Sequence, residues 1–254
     1  MKIIVCENEQ EMSRKAGQLF LEQVYKNPNH RRNLAVTAGK TPRIMYELIV
    51  PVIRQFPNEN VDYYCFDEIP VRQSAAGLTF QALNSMFFQP ASIPSEQLHS
   101  LDVNQADGVD QQLESCGGLQ WILMGLGLDG HFCGNLSGTL KHFGEGTHLV
   151  SCQINERIHK RMLELCGTEE NMPDAYVTFG PKTVMNAEKL TVIASGKAKA
   201  EIVKKVVEGP VTLDVPASIL QLHPDLTFVL DKDAASLLNP RTWRRTENLK
   251  EIND

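Results

Sequence analysis

The feature that most constrains this chain is a recurring unit: a short apolar run, then a polar glycine-bearing turn, then a stretch with helical spacing. Residues 33–37 run into Ala38-Gly39-Lys40-Thr41-Pro42 and a helix expected over 42–55. Residues 190–194 run into Ser195-Gly196-Lys197 and a helix expected over 197–208. Further strands are expected at 2–6, 61–66, 119–124, 176–179 and 227–230. A helix is expected over 9–25, where Met12, Ala16, Phe20 and Val24 fall on one face. Ala234 and Ala235 read as the start of a short helix. Apolar strands that do not alternate, separated by helices, indicate a mainly parallel sheet covered on both faces, an α/β three-layer sandwich. With no internal repeat or low-complexity linker, residues 1–238 read as one domain and the charged stretch 239–254 as a peripheral tail.

In such sheets ligands bind beyond the carboxyl ends of the strands. That rule sends four polar loops to one edge: 37–41, Asp67-Glu68, 125–131 and 195–197. In the first, Thr41 can cap the following helix and Pro42 fits its first position, leaving Ala38, Gly39 and Thr41 to offer amides to an anion, with Lys40 adding a cation. An ordinary capped turn reads the same way. Lys197 repeats the pattern: a lysine at a helix start works against the dipole unless an anion is bound there or the side chain is simply solvated. Asp67 and Glu68 follow an apolar run, which can raise a carboxyl into the range useful for proton transfer; capping a turn or pairing with a lysine is the competing reading.

Gly125-Leu126-Gly127-Leu128-Asp129-Gly130 satisfies a dinucleotide-binding spacing, but loop-like sequence follows it where that motif needs a helix. The glycines, Gly127 and Gly130 among them, instead let the chain turn sharply and present Asp129 and His131. An aspartate two residues before a histidine can fix the imidazole tautomer and stabilise its protonated form. Arg157 and Arg161 lie on an expected helix after Cys152, from which either could reach an anion or remain solvated.

Composition narrows the partners. A formal charge of −6 provides no basic field for a nucleic-acid backbone. No apolar run reaches membrane-span length. The six cysteines form no CxxC pair and have no zinc-ligand spacing with histidine, which fits a reducing, cytoplasmic setting.

Taken together, the segments 37–42, 66–68, 125–131, 178–180, 185–187, 195–198 and 220–224 resemble the glucosamine-6-phosphate deaminase/isomerase family, whose wider group includes 6-phosphogluconolactonases. The resemblance implies a modified Rossmann-type fold, no cofactor and no metal, and a sugar-phosphate substrate. It implies that Ala38, Gly39, Lys40, Thr41, Lys197 and Arg161 hold the phosphate. It further implies that His131 protonates the ring oxygen, that Asp67 moves a proton between C2 and C1, and that Asp129 orients His131. Glu68, Gly127, Gly130 and Asn135 would line the site. The family's deaminases carry a glutamate shortly after this histidine; the matching position here is Leu136. The expected activity is a sugar-phosphate isomerase or deaminase, with lactone hydrolysis and non-catalytic phosphosugar sensing as alternatives, and a homo-oligomer is compatible with it.

Overall fold

The computed structural model describes residues 1–27 and 29–242. Seven strands form one sheet: β1 (Lys2–Cys6), β2 (Arg32–Val36), β3 (Val61–Cys65), β5 (Leu98–His99), β6 (Trp121–Gly125), β9 (Leu190–Ala194) and β10 (Leu226–Asp231). Their order is β1-β10-β9-β6-β2-β3-β5, and every neighbouring pair is parallel. The α/β architecture expected from the sequence is the one observed.

Three further strands, β4 (Asp67–Glu68), β7 (His148–Ser151) and β8 (Ala175–Thr178), form a separate antiparallel sheet in the order β4-β8-β7. The strand expected over 61–66 therefore ends one residue early. Cys65 closes β3 and Asp67 opens β4, so Phe66 alone carries the chain from one sheet to the other.

Helices pack on the large sheet. In α1 (Glu9–Tyr25), Asn8 caps by accepting from the Glu11 amide, Glu9 and Glu11 suit the positive end of the dipole, and Met12, Ala16, Phe20 and Val24 are fully buried. Phe20 sits among Tyr46, Tyr63, Phe87 and Trp121 at centroid distances of 5.4–6.4 Å, an aromatic nucleus on one side of the sheet. α7 (Ala200–Glu208) buries Ile202, Val203, Val206 and Val207 on the other side. α5 (Glu156–Cys166) buries Ile158, Met162 and Cys166 against the small sheet, in a cluster that also contains Leu136 and Tyr176.

Three local expectations change. α2 spans Arg43–Gln55, with Pro42 at its N-cap and no side-chain cap, so Thr41 leaves the first-turn amides uncovered. Lys197–Lys199 is a turn of 3-10 helix, and the α-helix starts only at Ala200. Ala234 and Ala235 lie in a series of turns rather than a helix: after the Ala235 amide bonds the Asp231 carbonyl, the Ser236 and Leu238 amides bond carbonyls three residues back and the α-helical pattern is not continued. Of the tail, Asn239 and Thr242 both bond Glu208; residues 243–254 lie outside the described residues.

The site follows from strand order. β2 and β6 are neighbours, yet the next strand of this sheet after β2 is β3, on one side, and the next after β6 is β9, on the other, reached by way of β7 and β8 in the small sheet. Loops diverging from adjacent parallel strands open a crevice between them at the carboxyl edge.

Candidate active site

That crevice is a cavity of about 1110 Å³ lined by the 37–42 loop, the 125–131 loop, Asp67 and Thr79, one face of α5, and Lys199. Gly39 has φ +106°, a conformation that favours glycine, and open space where a side chain would stand, so the backbone there is bare toward the cavity. Tyr46 ties this loop to its helix by donating to the Thr37 carbonyl at 2.8 Å.

The 125–131 loop is a closed turn. The Gly127 amide donates to the His131 carbonyl at 2.9 Å, and the Gly130 amide to the Gly127 carbonyl at 3.1 Å. Gly127 is obligatory because a β-carbon would stand 2.1 Å from His131 Nδ1. Gly130 has φ +82° and packs against Val215, where a β-carbon would stand 2.7 Å from Cγ1, so it shapes the turn from behind the cavity. Asn135 likewise lies behind it, fully buried, donating to the carbonyls of Phe179 and Phe132 at 2.8 and 3.2 Å.

His131 Nδ1 lies 2.5 Å from Asp129 Oδ1. An ionised carboxylate only accepts, so the proton sits on Nδ1 and Nε2 is the nitrogen left for proton exchange. Burial works against a charge on Asp129, but the His131 contacts and the Arg157 guanidinium outweigh it and hold the carboxyl far below the usual range. Arg157 donates to the other oxygen, Oδ2.

Asp67 shares the cavity. Its carboxyl is pushed upward by burial, against a hydrogen bond from Thr79 and the opposing pull of His131 and Arg161. Glu68 points the other way, as alternation along a strand requires. It is 4% exposed and accepts from the Ile69, Thr79 and Phe80 amides, and burial raises it to about 7 against those bonds. Glu68 therefore lies outside the cavity lining, contrary to the expectation from sequence.

Arg157, Lys160, Arg161 and Glu164 share the exposed face of α5, three or four residues apart, and all line the cavity. Lys40, Lys160 and Arg161 have no ion-pair partner among the described residues. The lysine from the 195–199 turn that lines the cavity is Lys199, which donates to the Leu126 carbonyl; Lys197 is exposed and outside the lining. The reason is local. Asp231 takes the Gly196 amide at 2.9–3.0 Å, filling the place an anion would need, and the 3-10 turn brings the second lysine round to the cavity. Burial lowers Lys199, with Asp129 acting in the opposite direction.

Sequence reasoning missed Thr79, Lys160, Lys199 and Cys133 in this lining. The position of Thr79 depends on a helix, α3 (Leu78–Leu83), for which no element was expected. Among the described residues, no group of three His, Cys, Asp or Glu side chains converges as a metal site, and no helix is long and apolar enough to cross a membrane.

A carboxyl raised by burial, an Asp–His pair and unpaired cations around one crevice make an acid–base site suited to an anionic substrate. The chain belongs to the family of glucosamine-6-phosphate isomerases and 6-phosphogluconolactonases, which matches residues 7–228. The glucosamine-6-phosphate deaminase of Thermoanaerobacter pseudethanolicus is 30% identical, covering 99% of this chain and 98% of that protein. That of Clostridium botulinum strain Kyoto is 29% identical, covering 94% and 99%. Among solved structures, a monomeric glucosamine-6-phosphate deaminase superposes with a TM-score of 0.79 at 27% identity, covering 93% of this chain and all of that one. A 6-phosphogluconolactonase from Trypanosoma cruzi shares the fold at a TM-score of 0.71 and 20% identity, covering 94% and 97%.

Proposed function

We propose that this chain converts an aldose phosphate to a ketose phosphate by general acid–base catalysis, with a hexosamine 6-phosphate as substrate and ammonia as the group released. The observation that carries the reading is the placement of Asp67 and the Asp129–His131 pair in one cavity with the bare 38–41 loop and three unpaired cations.

The phosphate binds the amides of the 38–41 loop, with Arg161 and Lys199 as its cations; Lys197 has no part in this assignment. His131 supplies a proton to the ring oxygen as the C1–O bond breaks and takes up the proton that the C1 hydroxyl gives up, opening the sugar to its aldehyde. Asp67, ionised, takes the proton from C2 while His131 returns its proton to the C1 oxygen; Asp67 then gives its proton to C1, which leaves a protonated imine at C2. Water adds there, ammonia departs as the C2–N bond breaks, and the proton released goes back to His131. Asp129 accepts from Nδ1 throughout, which keeps Nε2 as the nitrogen that exchanges protons with the substrate.

The test is turnover of glucosamine 6-phosphate, galactosamine 6-phosphate, fructose 6-phosphate plus ammonia, and 6-phosphogluconolactone by wild type, Asp67→Asn and His131→Ala. Hexosamine turnover lost in both variants supports the assignment. Turnover that survives His131→Ala overturns the mechanism, and activity confined to the lactone replaces the reaction with hydrolysis. Tight phosphosugar binding without any turnover would make the chain a sensor.

A further inference from the structure

We propose that Thr79 is a positioning residue for Asp67, and that Glu68 holds Thr79 in place by capping the helix that carries it. The inference rests on the reading of Asp67 as the proton-transferring carboxylate.

Asp67 and Glu68 are the whole of β4, so their side chains leave on opposite faces. Both end at the same helix. Glu68 Oε1 accepts from the Ile69 and Thr79 amides at 3.1 and 2.8 Å, and Oε2 accepts from the Phe80 amide at 3.0 Å. Thr79 and Phe80 belong to the first turn of α3, whose N-cap is Gly77 and whose own N-terminal side chains supply no cap. A helix start needs acceptors for these amides, and here one buried carboxylate provides them from eleven and twelve residues upstream in the chain. Gly77 admits it: a β-carbon there would stand 2.2 Å from Glu68 Oε1, while its φ of −75° is ordinary. The glycine is thus required for space and not for backbone conformation.

The result is that Thr79 Oγ1 donates to Asp67 Oδ1 at 2.8 Å, the hydrogen bond made by the Asp67 side chain among the described residues. One carboxylate oxygen is fixed and Oδ2 is left for substrate. A hydroxyl suits a carboxyl that must change protonation state. It donates to Oδ1 while Asp67 is ionised, and it can stay on that oxygen when Oδ2 takes up a proton. The other groups that act on Asp67 are His131 from the β6 loop and the Arg161 guanidinium from α5; Glu68, Cys65, Cys133 and Tyr176 surround it from β4, β3, the loop after His131 and β8. Of these neighbours, Thr79 is the one hydrogen-bonded to the carboxyl.

The hydrogen bond favours ionised Asp67, so its loss raises the proton affinity of a group that must be ionised to accept the C2 proton. The experiment compares Thr79→Val, isosteric but without the hydroxyl, with Thr79→Ser, which restores it. kcat and KM for glucosamine 6-phosphate are measured across pH, and the Asp67 carboxyl is titrated by 13C NMR with Asp67→Asn as the assignment control. Thr79→Val should lower kcat by about 10- to 100-fold with KM within about threefold, and move the acid limb of kcat up by about one pH unit. The NMR midpoint should move in the same direction, and Thr79→Ser should return both toward wild type. A Thr79→Val profile and midpoint that superimpose on wild type overturn the proposal, whether or not this substrate is turned over. Full activity in Asp67→Asn instead overturns the functional reading beneath it, so the two failures are distinct.

Discussion

Arg157, on α5, donates to the one oxygen of Asp129 that His131 leaves free. The carboxylate is thereby held from two sides by elements that are separate in the chain. α5 also carries Arg161, assigned above to the phosphate, so one helix links the anchor of the substrate to the group that orients the imidazole. Arg157→Gln should lower kcat by about tenfold, because Asp129 is then free to rotate away from Nδ1. Arg157 is half exposed, so the fold itself should change by no more than about 1 kcal/mol. Steady-state kinetics and thermal unfolding of the same variant separate the two effects.

The depressed Asp129 carboxyl has a consequence for stability. Its proton affinity is lower folded than unfolded, so the increment is present above the unfolded value, about pH 4, and is lost as pH falls through the folded value. Asp129→Asn should therefore be less stable than wild type at pH 7, by roughly 1.5–3 kcal/mol for a charge-assisted bond that is partly screened. The two unfolding curves should converge in strong acid. A gap that is the same at pH 7 and pH 2 would contradict this account of the pair.

Gly127→Ala places a methyl where the imidazole stands. The loop can accept the methyl only by turning His131 out of line with Asp129. Misplacement by about 1 Å costs on the order of 100-fold in rate, so kcat should fall that far while KM for the phosphosugar changes little. The remaining activity should be indifferent to a second substitution, His131→Ala.

The two lysines of the 197–199 turn provide a paired comparison. Lys199→Met should raise KM for a sugar phosphate by about tenfold or more, as loss of one charge-assisted contact predicts, and Lys197→Met should leave it near wild type. Equal effects from both would remove Lys199 from the anchor.

Leu136, which the family resemblance matches to a deaminase glutamate, is 3% exposed in the cluster of Ile158, Met162 and Tyr176. Leu136→Glu should not create a third carboxylate for the His131 pair. It should destabilise the chain by about 3 kcal/mol or more, because an unpaired carboxylate would replace an apolar side chain between the small sheet and α5. Denaturant unfolding, with turnover measured alongside, checks both halves of the statement.

The sequence made six of the seven strands of the large sheet legible because each is a short apolar run, with glycine in the turns after β2, β6 and β9; the two residues of β5 gave no such signal. α1 was readable from Met12, Ala16, Phe20 and Val24, and the 125–131 turn from its glycines and its Asp–His pair. Of the small sheet, β8 was readable as the apolar run at 176–179, but β4, β7 and the separate antiparallel pairing were not. β4 is two residues long and continuous with the apolar run of β3, so no local signal separates Asp67 from the strand before it. The strand–glycine–lysine pattern points to Lys197 because it does not reveal that Asp231, 35 residues away, takes the glycine amide. Glu68 was read as lining the site because its purpose depends on a helix start at Gly77 that has no capping side chain of its own. Both misreadings depend on a carboxylate that bonds amides distant from it in the chain.

The single-residue crossing at Phe66 divides the labour of this site between two hydrogen-bonded frameworks. The loops proposed to bind an anion hang from the seven-stranded sheet, and the carboxylate proposed to move the proton hangs from the three-stranded one. Substitutions within β4, β7 and β8 can re-aim Asp67 over a sugar whose far end stays anchored. A lineage built on this scaffold can therefore change which carbon it works on, or which reaction it performs there, and keep the means by which it recognises its substrates.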